Sequence, residues 1–370
     1  MLNRRSMLVA TGLVAGAVAT GAALPTLTSS ALAKAKPTDA DIPEMLAHRV
    51  QKSGVELRRA ETTFPLTHLA ARWNGASDSA GLRVRTDSGW SDWREIRACH
   101  AAPDHRGFRS GALLALPGAV GYELKTADGA AIVTELNAVD GPKKRKAASV
   151  RAEVEIGAHA TSAQYLSRAA WGADEDLRFK DGVENWPLEW FSAQALTVHH
   201  SAGINDDPDP AATVRAIYYY HCVTQDWGDV GYQLLIDEAG RVYEGRVSGD
   251  DSVPVYGQQV DGKGSPLVTN GGHVTAHNAG NIGVCLLGDF TDRAPSEAAR
   301  DSLTRVLALL AKVSGLDPEG TTNYVNPVNG KAKTVRTISG HRDWLDTECP
   351  GENFYPMLEE LREDVADELS

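Results

Sequence analysis

The sequence predicts a mixed-sheet α/β domain with helices on the faces of the sheet, preceded by a small all-β, sandwich-like domain. Two observations lead to this fold class. From about Tyr165 onward, apolar runs of strand length alternate with capped helical patterns. Before it, residues 57–141 hold short apolar or alternating runs separated by Gly, Pro, Asn and Asp turns, which is typical of a small sandwich.

The first 33 residues show the pattern of a Tat-type signal peptide. Arg4 and Arg5 precede the uncharged stretch Met7–Ala23, and Ala31-Leu32-Ala33 supplies the small residues of a cleavage site. The alternative is an uncleaved membrane anchor, which the Gly, Ala and Thr content of the stretch disfavours. We therefore expect a protein that is exported to the cell wall or secreted, with no stable membrane span after cleavage.

Two segments frame the all-β region. Residues 34–56 are a polar N-terminal segment, in which Pro43–Gln51 is predicted to form a short helix. Residues 142–164 contain the basic cluster Lys143–Lys146 without sustained periodicity, which predicts a linker. Within the all-β region, Trp73, Trp90 and Trp93 are assigned to the core or to edge strands, with a carbohydrate-stacking surface as the alternative.

The α/β domain covers residues 165–370 and its helices carry clear end signals. Asp209 and Pro210 are the N-cap and first position of a helix over residues 211–222. Ser296 and Gly315 bound a second helix over residues 297–313. A strand over residues 195–199 is predicted from the alternation in Leu196–Gly203, which places His199 and His200 at a strand end.

Composition narrows the partner classes. The net charge of -12 argues against nucleic acid as a partner. Four cysteines without CxxC spacing do not indicate a dense disulfide framework. Cys285 lies in an apolar run and is predicted to be a buried small hydrophobe.

Residue types that suit a metal occur at three places. His199 ends a strand, His341 follows Ser339-Gly340 at the end of another, and Cys349 begins the loop Cys349-Pro350-Gly351. Two imidazoles and one thiolate are a three-ligand set that leaves a fourth position open, as in catalytic rather than structural zinc sites. Spacing alone does not pair His199 with the other two, which lie more than a hundred residues away.

That pairing comes from a resemblance. The region resembles the peptidoglycan recognition protein family, that is, the zinc-dependent type 2 N-acetylmuramoyl-L-alanine amidases. The segments that match are, in order, SRAAWGA at 167–173, TVHHSA at 197–202, WGDVGY at 227–232, VYEGR at 242–246, NIGV at 281–284, GHRD at 340–343 and CPG at 349–351.

The resemblance implies Zn²⁺ bound by His199, His341 and Cys349, without His200, and chemistry assisted by Tyr232. It implies peptidoglycan, glycan strand plus stem peptide, as the partner, and cleavage of the amide between N-acetylmuramic acid and L-alanine. The alternative is a non-catalytic peptidoglycan-binding protein; receptors of the family typically lack the cysteine, which is present here. We expect a monomer.

Five further residues are candidates with weaker support. Thr347 stands where phage relatives carry lysine, and is predicted either to bond the reaction intermediate or to be a plain loop residue. Asp343 is predicted to orient a metal ligand or to cap a turn. Arg246, His277 and Asn278 are predicted to line the substrate groove, with plain surface as the alternative. The usual family residues after Glu-Gly-Arg are absent at residues 247–249, so the preferred stem peptide is left open.

Overall fold

The computed structural model describes residues 40–43, 45–53, 56–59, 61–73, 79–97, 110–126, 130–147, 151–154, 163–249 and 254–370. The predicted signal peptide and Cys99 lie outside these residues. Among the helices that are described, none has the length and apolar character needed to cross a membrane.

The described N-terminal strands are all paired antiparallel. They are β1 (Ala40–Pro43), β2 (Leu46–Ser53), β3 (Glu56–Arg59), β4 (Leu66–Trp73), β5 (Ser79–Thr86), β6 (Gly89–Trp90), β7 (Arg94–Arg97), β8 (Ser110–Ala119), β9 (Gly121–Lys125), β10 (Ala130–Asn137) and β11 (Lys143–Ala147). One sheet has the order β2-β10-β4-β8, a second has the order β3-β9-β5-β6 with β7 also on β5, and β1 pairs with β11.

Strand β4 shows how this region is built. Its odd-numbered residues Leu69, Ala71 and Trp73 join a core shared by both sheets. Its even-numbered residues His68 and Arg72 are also buried, and they point to the C-terminal part of the chain. His68 Nε2 lies 2.8 Å from Thr213 Oγ1, and Arg72 donates to the carbonyl of Thr224. Period-2 alternation thus gives β4 one face for its own core and one for the neighbouring unit.

Two expectations about this region are wrong. The segment predicted to hold a short helix is strand β2, at the edge of its sheet; polar residues are common on edge strands, so composition hides the strand. The predicted linker contains β11 and β12 (Arg151–Val154), and the basic cluster is part of β11. Trp73 is a core residue, whereas Trp90 and Trp93 are exposed and flank the Arg83 guanidinium.

The C-terminal part is a mixed α/β fold around a seven-stranded sheet, in the order β12-β13-β19-β18-β22-β17-β25. Its elements after β12 are β13 (Ala163–Leu166), α1 (Arg168–Trp171), β14 (Phe179–Lys180), β15 (Val183–Glu184), β16 (Trp190–Phe191), β17 (Ala195–His200), α2 (Pro210–Tyr219), β18 (Leu234–Ile236), β19 (Val242–Glu244), β20 (Tyr256–Val260), β21 (Pro266–Thr269), β22 (Asn281–Leu286), α3 (Glu297–Ser314), β23 (Thr321–Val325), β24 (Ala332–Arg336), β25 (Ile338–Gly340) and α4 (Leu358–Glu368). A π-helical turn, Tyr220–Thr224, continues α2.

Helices cover both faces of this sheet. On one face, Leu196 and Val198 of β17 pack with α3 and α4, for example against Leu307 and Leu361. On the other face, α2 packs against alternate residues of the strands, such as Cys285. The predicted N-caps are formed: Asp209 accepts from the backbone of Ala212, and Ser296 from that of Ala299. Because neighbouring residues of β17 point to opposite faces, His199 and His200 enter different environments.

Candidate functional site

His199, His341 and Cys349 converge where β17 and its neighbour β25, the last strand of the sheet, both end. Strands β17 and β25 are parallel neighbours with Val198 opposite Gly340, so the next residue of each chain segment is a histidine at the same edge. The two imidazole centroids are 4.5 Å apart. The loop then returns, with the backbone of Arg342 donating to the carbonyl of Cys349. One ligand atom from each of the three residues lies within 4.8 Å of the others.

The donor set fits a zinc ion. Cys349 Sγ lies 3.8 Å from His199 Nδ1, close to the roughly 3.5 Å that separates sulfur and nitrogen ligands of a tetrahedral zinc. All three side chains are buried. Burial, followed by the neighbouring imidazoles of His341, His273 and His200, holds the pKa of His199 well below its usual value, which favours the neutral form that binds metals.

The second histidine of the pair has a different role. His200 Nδ1 accepts from the backbone of Phe290 at 3.3 Å, and its ring packs against the phenyl ring of that residue. Burial lowers the pKa of His200 to about 4. Its side chain is therefore used by the surrounding structure, although its backbone N–H donates to Cys349 Sγ at 3.3 Å.

A groove of about 500 Å³ opens beside this cluster. Tyr232 lines it, two residues before β18, with its ring centroid 5.2 Å from that of His199. The groove walls also include His341, Trp186, Trp227 and Asn278, together with Gly111–Leu113 of β8. Both parts of the chain therefore contribute to the groove.

Thr347 and Asp343 both form hydrogen bonds within the segment that carries His341 and Cys349. Thr347 Oγ1 accepts from the backbone of Cys349 at 3.2 Å, and its side chain lines a second cavity of about 480 Å³ that also contains Cys349. Asp343 accepts from the backbone of Gly340 at 2.8 Å and from the Tyr355 hydroxyl at 2.5 Å. The Thr347 bond thus holds the loop that contains Cys349, and the Asp343 bonds hold the turn that contains His341.

The three residues predicted to line the substrate groove have different surroundings in the structure. Asn278 lines the groove, and its Oδ1 accepts from the backbone of Val274 at 2.7 Å. The His277 ring contacts the rings of Trp344 and Tyr324 at tilted angles, with centroid distances of 5.5 and 5.8 Å. Arg246 is fully buried, which is at odds with its predicted contact with substrate.

Arg246 belongs to a buried ion-pair network. It donates to Asp229 at 2.9 Å, and Arg168 donates to the other oxygen of the same carboxylate at 2.9 Å. Burial alone would raise the pKa of Asp229, but the two guanidinium groups and two backbone N–H groups outweigh it and leave that pKa lowered. Asp229 is 17 residues from Arg246 in the chain, so no local sequence pattern indicates that this arginine has an internal partner.

His273 is a residue that sequence reasoning missed. It is buried, and its Nδ1 lies 2.9 Å from His199 Nε2. Its Nε2 lies 3.0 Å from the backbone carbonyl oxygen of Asn281. The sequence signal at this position is a histidine that follows two glycines in the segment leading into β22, and no local periodicity connects it with His199.

Known proteins are similar to the region of this chain that holds the cluster. The sequence pattern of the family described as N-acetylmuramoyl-L-alanine amidase matches residues 190–352. Human N-acetylmuramoyl-L-alanine amidase is 29% identical over 195 residues, which are 52% of this chain and 27% of the human protein. Peptidoglycan-recognition protein LB of Drosophila melanogaster is 25% identical over 209 residues, 56% of this chain and 72% of that protein.

Among solved structures, Drosophila peptidoglycan recognition protein SD aligns with 52% of this chain and 92% of its own, at 23% identity and a TM-score of 0.38. The chain spans about a quarter of the length of the human relative.

Proposed function

The C-terminal part of this chain belongs to the family of peptidoglycan recognition proteins and type 2 N-acetylmuramoyl-L-alanine amidases, and from this premise we propose that the protein is a zinc-dependent amidase. Its substrate is peptidoglycan, and the bond cleaved joins N-acetylmuramic acid to L-alanine. The observation that carries the proposal is the convergence of His199, His341 and Cys349 beside an open groove.

The three residues hold the metal, and the groove takes the substrate. Bound Zn²⁺ would supply Lewis-acid polarisation and a water of lowered pKa. His199 and His341 provide neutral imidazoles and Cys349 a thiolate, which the backbone N–H of His200 stabilises at 3.3 Å. A groove of about 500 Å³ is large enough for a disaccharide or a short peptide, and its tryptophans offer flat apolar faces.

Tyr232 assists the reaction. Its position on the groove wall next to His199 supports a role as hydrogen-bond donor to the oxygen that gains negative charge when the amide carbonyl is attacked. Thr347 and Asp343 act indirectly, because their hydrogen bonds hold the loop that carries Cys349 and the turn that carries His341. Asn278 contributes to the groove. Export by the Tat-type signal, with peptidoglycan as the partner of a monomeric protein, completes the proposal.

The test is release of dye-labelled peptidoglycan by the secreted protein. We expect release to fall to background after chelation, to return with added Zn²⁺, and to be absent in Cys349→Ala. Mass spectrometry of the soluble fraction should show stem peptides with a free L-alanine amino group.

The matched control is Cys222→Ala. Cys222 is also a buried free cysteine, but its thiol donates to the carbonyl of Leu177 in the helical layer. This variant should keep wild-type release. Undiminished release by Cys349→Ala or after chelation contradicts the zinc mechanism. Binding to peptidoglycan without release by the zinc-loaded wild type supports the non-catalytic alternative.

A further inference from the structure

A buried hydrogen-bonded series leads from the candidate metal centre into the sheet. His199 Nε2 lies 2.9 Å from His273 Nδ1, and His273 Nε2 lies 3.0 Å from the carbonyl oxygen of Asn281, the first residue of β22. His199, His273 and Asn281 are all buried. The two imidazoles meet edge to face, with centroids 5.0 Å apart and planes at 88°.

The carbonyl group of Asn281 determines which ring nitrogen of each histidine donates and which accepts. A carbonyl oxygen only accepts, so His273 Nε2 carries a proton and donates it. In a neutral imidazole the other nitrogen then accepts, so His273 Nδ1 accepts from His199 Nε2. His199 is left with its proton on Nε2 and with a bare Nδ1, which is the nitrogen that faces Cys349 Sγ at 3.8 Å.

The His273 ring occupies a confined space beside β22. Gly283 of β22 lies beside it, and a Cβ on that residue would come within 2.6 Å of the imidazole. Gln233 holds the same strand: its Oε1 accepts from the backbone of Gly283 at 2.7 Å. Thr197, two residues before His199, donates to the Asn281 side chain at 2.8 Å. A ring confined in this way cannot turn freely, so the series has one arrangement.

We infer that His273 is a positioning residue for the metal centre: it fixes the tautomer and the ring orientation of His199, so that Nδ1 is presented to Zn²⁺. This inference rests on the proposed function, because it assumes the metal. Hydrogen-bond partners of this kind typically change metal affinity 10- to 100-fold. Here the partner is itself an imidazole, anchored by a backbone carbonyl in the sheet.

The first test measures Zn²⁺ affinity by competition with a chromophoric chelator, with Co²⁺ absorption as a second measure of ligand geometry. His273→Leu removes the acceptor, and we expect roughly 10- to 100-fold weaker Zn²⁺ binding. His273→Asn keeps an oxygen close to the position of Nδ1, and should bind within a few-fold of wild type with a wild-type Co²⁺ spectrum. The matched control is His68→Leu, a buried histidine that contacts Thr213 instead.

The outcomes separate the two proposals. Wild-type protein that does not bind Zn²⁺ would overturn the proposed function itself. Tight binding by wild type, His68→Leu and His273→Leu alike would overturn only the role of His273. So would His273→Asn binding as weakly as His273→Leu, because the acceptor would then be irrelevant.

A second measurement requires no variant and no metal. Two-bond ¹⁵N–¹H correlation spectra of the metal-free, full-length protein report which ring nitrogen of each histidine carries the proton. We expect the Nε2–H tautomer for both His199 and His273. A spectrum that shows His199 protonated on Nδ1 would overturn the inference even if His273→Leu failed to fold.

Discussion

Replacement of Asp229 by asparagine tests whether Arg246 is an internal structural residue. The carboxylate is completely buried and contacts the guanidinium groups of Arg168 and Arg246 at 2.9 Å each, with Arg178 Nε at 3.9 Å. It also accepts from the backbone of Val230 at 2.8 Å and of Val247 at 3.1 Å. Asp229→Asn keeps the size of the side chain but removes the negative charge.

The expected cost follows from what each arginine would keep. Arg168 would still have Glu175, at 2.8 and 3.0 Å. Arg246 is fully buried and would keep only carbonyl oxygens, among them that of Trp186 at 2.8 Å, and the face of the Trp186 ring, whose centroid lies 4.0 Å from the guanidinium carbon. Removing one partner of a buried ion pair costs about 3–5 kcal/mol. For a domain of this size that lowers the midpoint of thermal unfolding by about 10 °C.

The assay is urea denaturation followed by tryptophan fluorescence, with thermal unfolding by circular dichroism as a check. Asp206→Asn is the matched control, since Asp206 pairs with Arg293 at 3.0 Å but its side chain is 82% exposed. An exposed ion pair contributes only about 0–1 kcal/mol, so this control should unfold almost as wild type does. Equal small losses in both variants would refute the argument that the Asp229 network is structural.

Three further predictions concern pH and packing. Burial, followed by the charge of Arg215, lowers the pKa of His68 to about 3. The unfolded chain therefore binds more protons than the folded chain below pH 6.5, and the free energy of unfolding falls as the pH drops from there. Between pH 7 and pH 4.5, urea denaturation should show that His68→Gln loses about 2–3 kcal/mol less stability than wild type. Burial raises the pKa of Glu244 to about 7, so its ionisation costs stability as the pH rises from 4.5 through 7. Glu244→Gln should therefore match wild type at pH 4 and be more stable by about 2–3 kcal/mol at pH 8. An advantage at pH 4 that disappears at pH 8 would contradict the assigned sign. Gly283→Ala forces a methyl group against His273 and should cost about 1–3 kcal/mol in urea denaturation, whereas unchanged stability would show that the ring can move aside.

Local signals in the sequence predicted the helices and the main strand well. Asp209 and Pro210 begin α2, and Ser296 and Gly315 bound α3, because capping and glycine in a left-handed conformation (φ 65° at Gly315) are satisfied within a few residues. The alternation around His199 gives β17, since one strand face is apolar. Polar edge strands such as β2 and β11 lack such a pattern, and there the predictions fail.

The sequence by itself determined which residue types stand at strand ends and loop starts, and so named His199, His341 and Cys349 as candidate ligands once a family resemblance paired them. Only the tertiary structure decided their distances, because β17 and β25 become neighbours through a crossover of more than a hundred residues. It also decided that Arg246 is buried against Asp229 and that His273 reaches His199. The residues in each of those contacts do not stand at a helix or strand spacing in the chain. They meet only when the sheet has formed, so the contacts stabilise only the folded state.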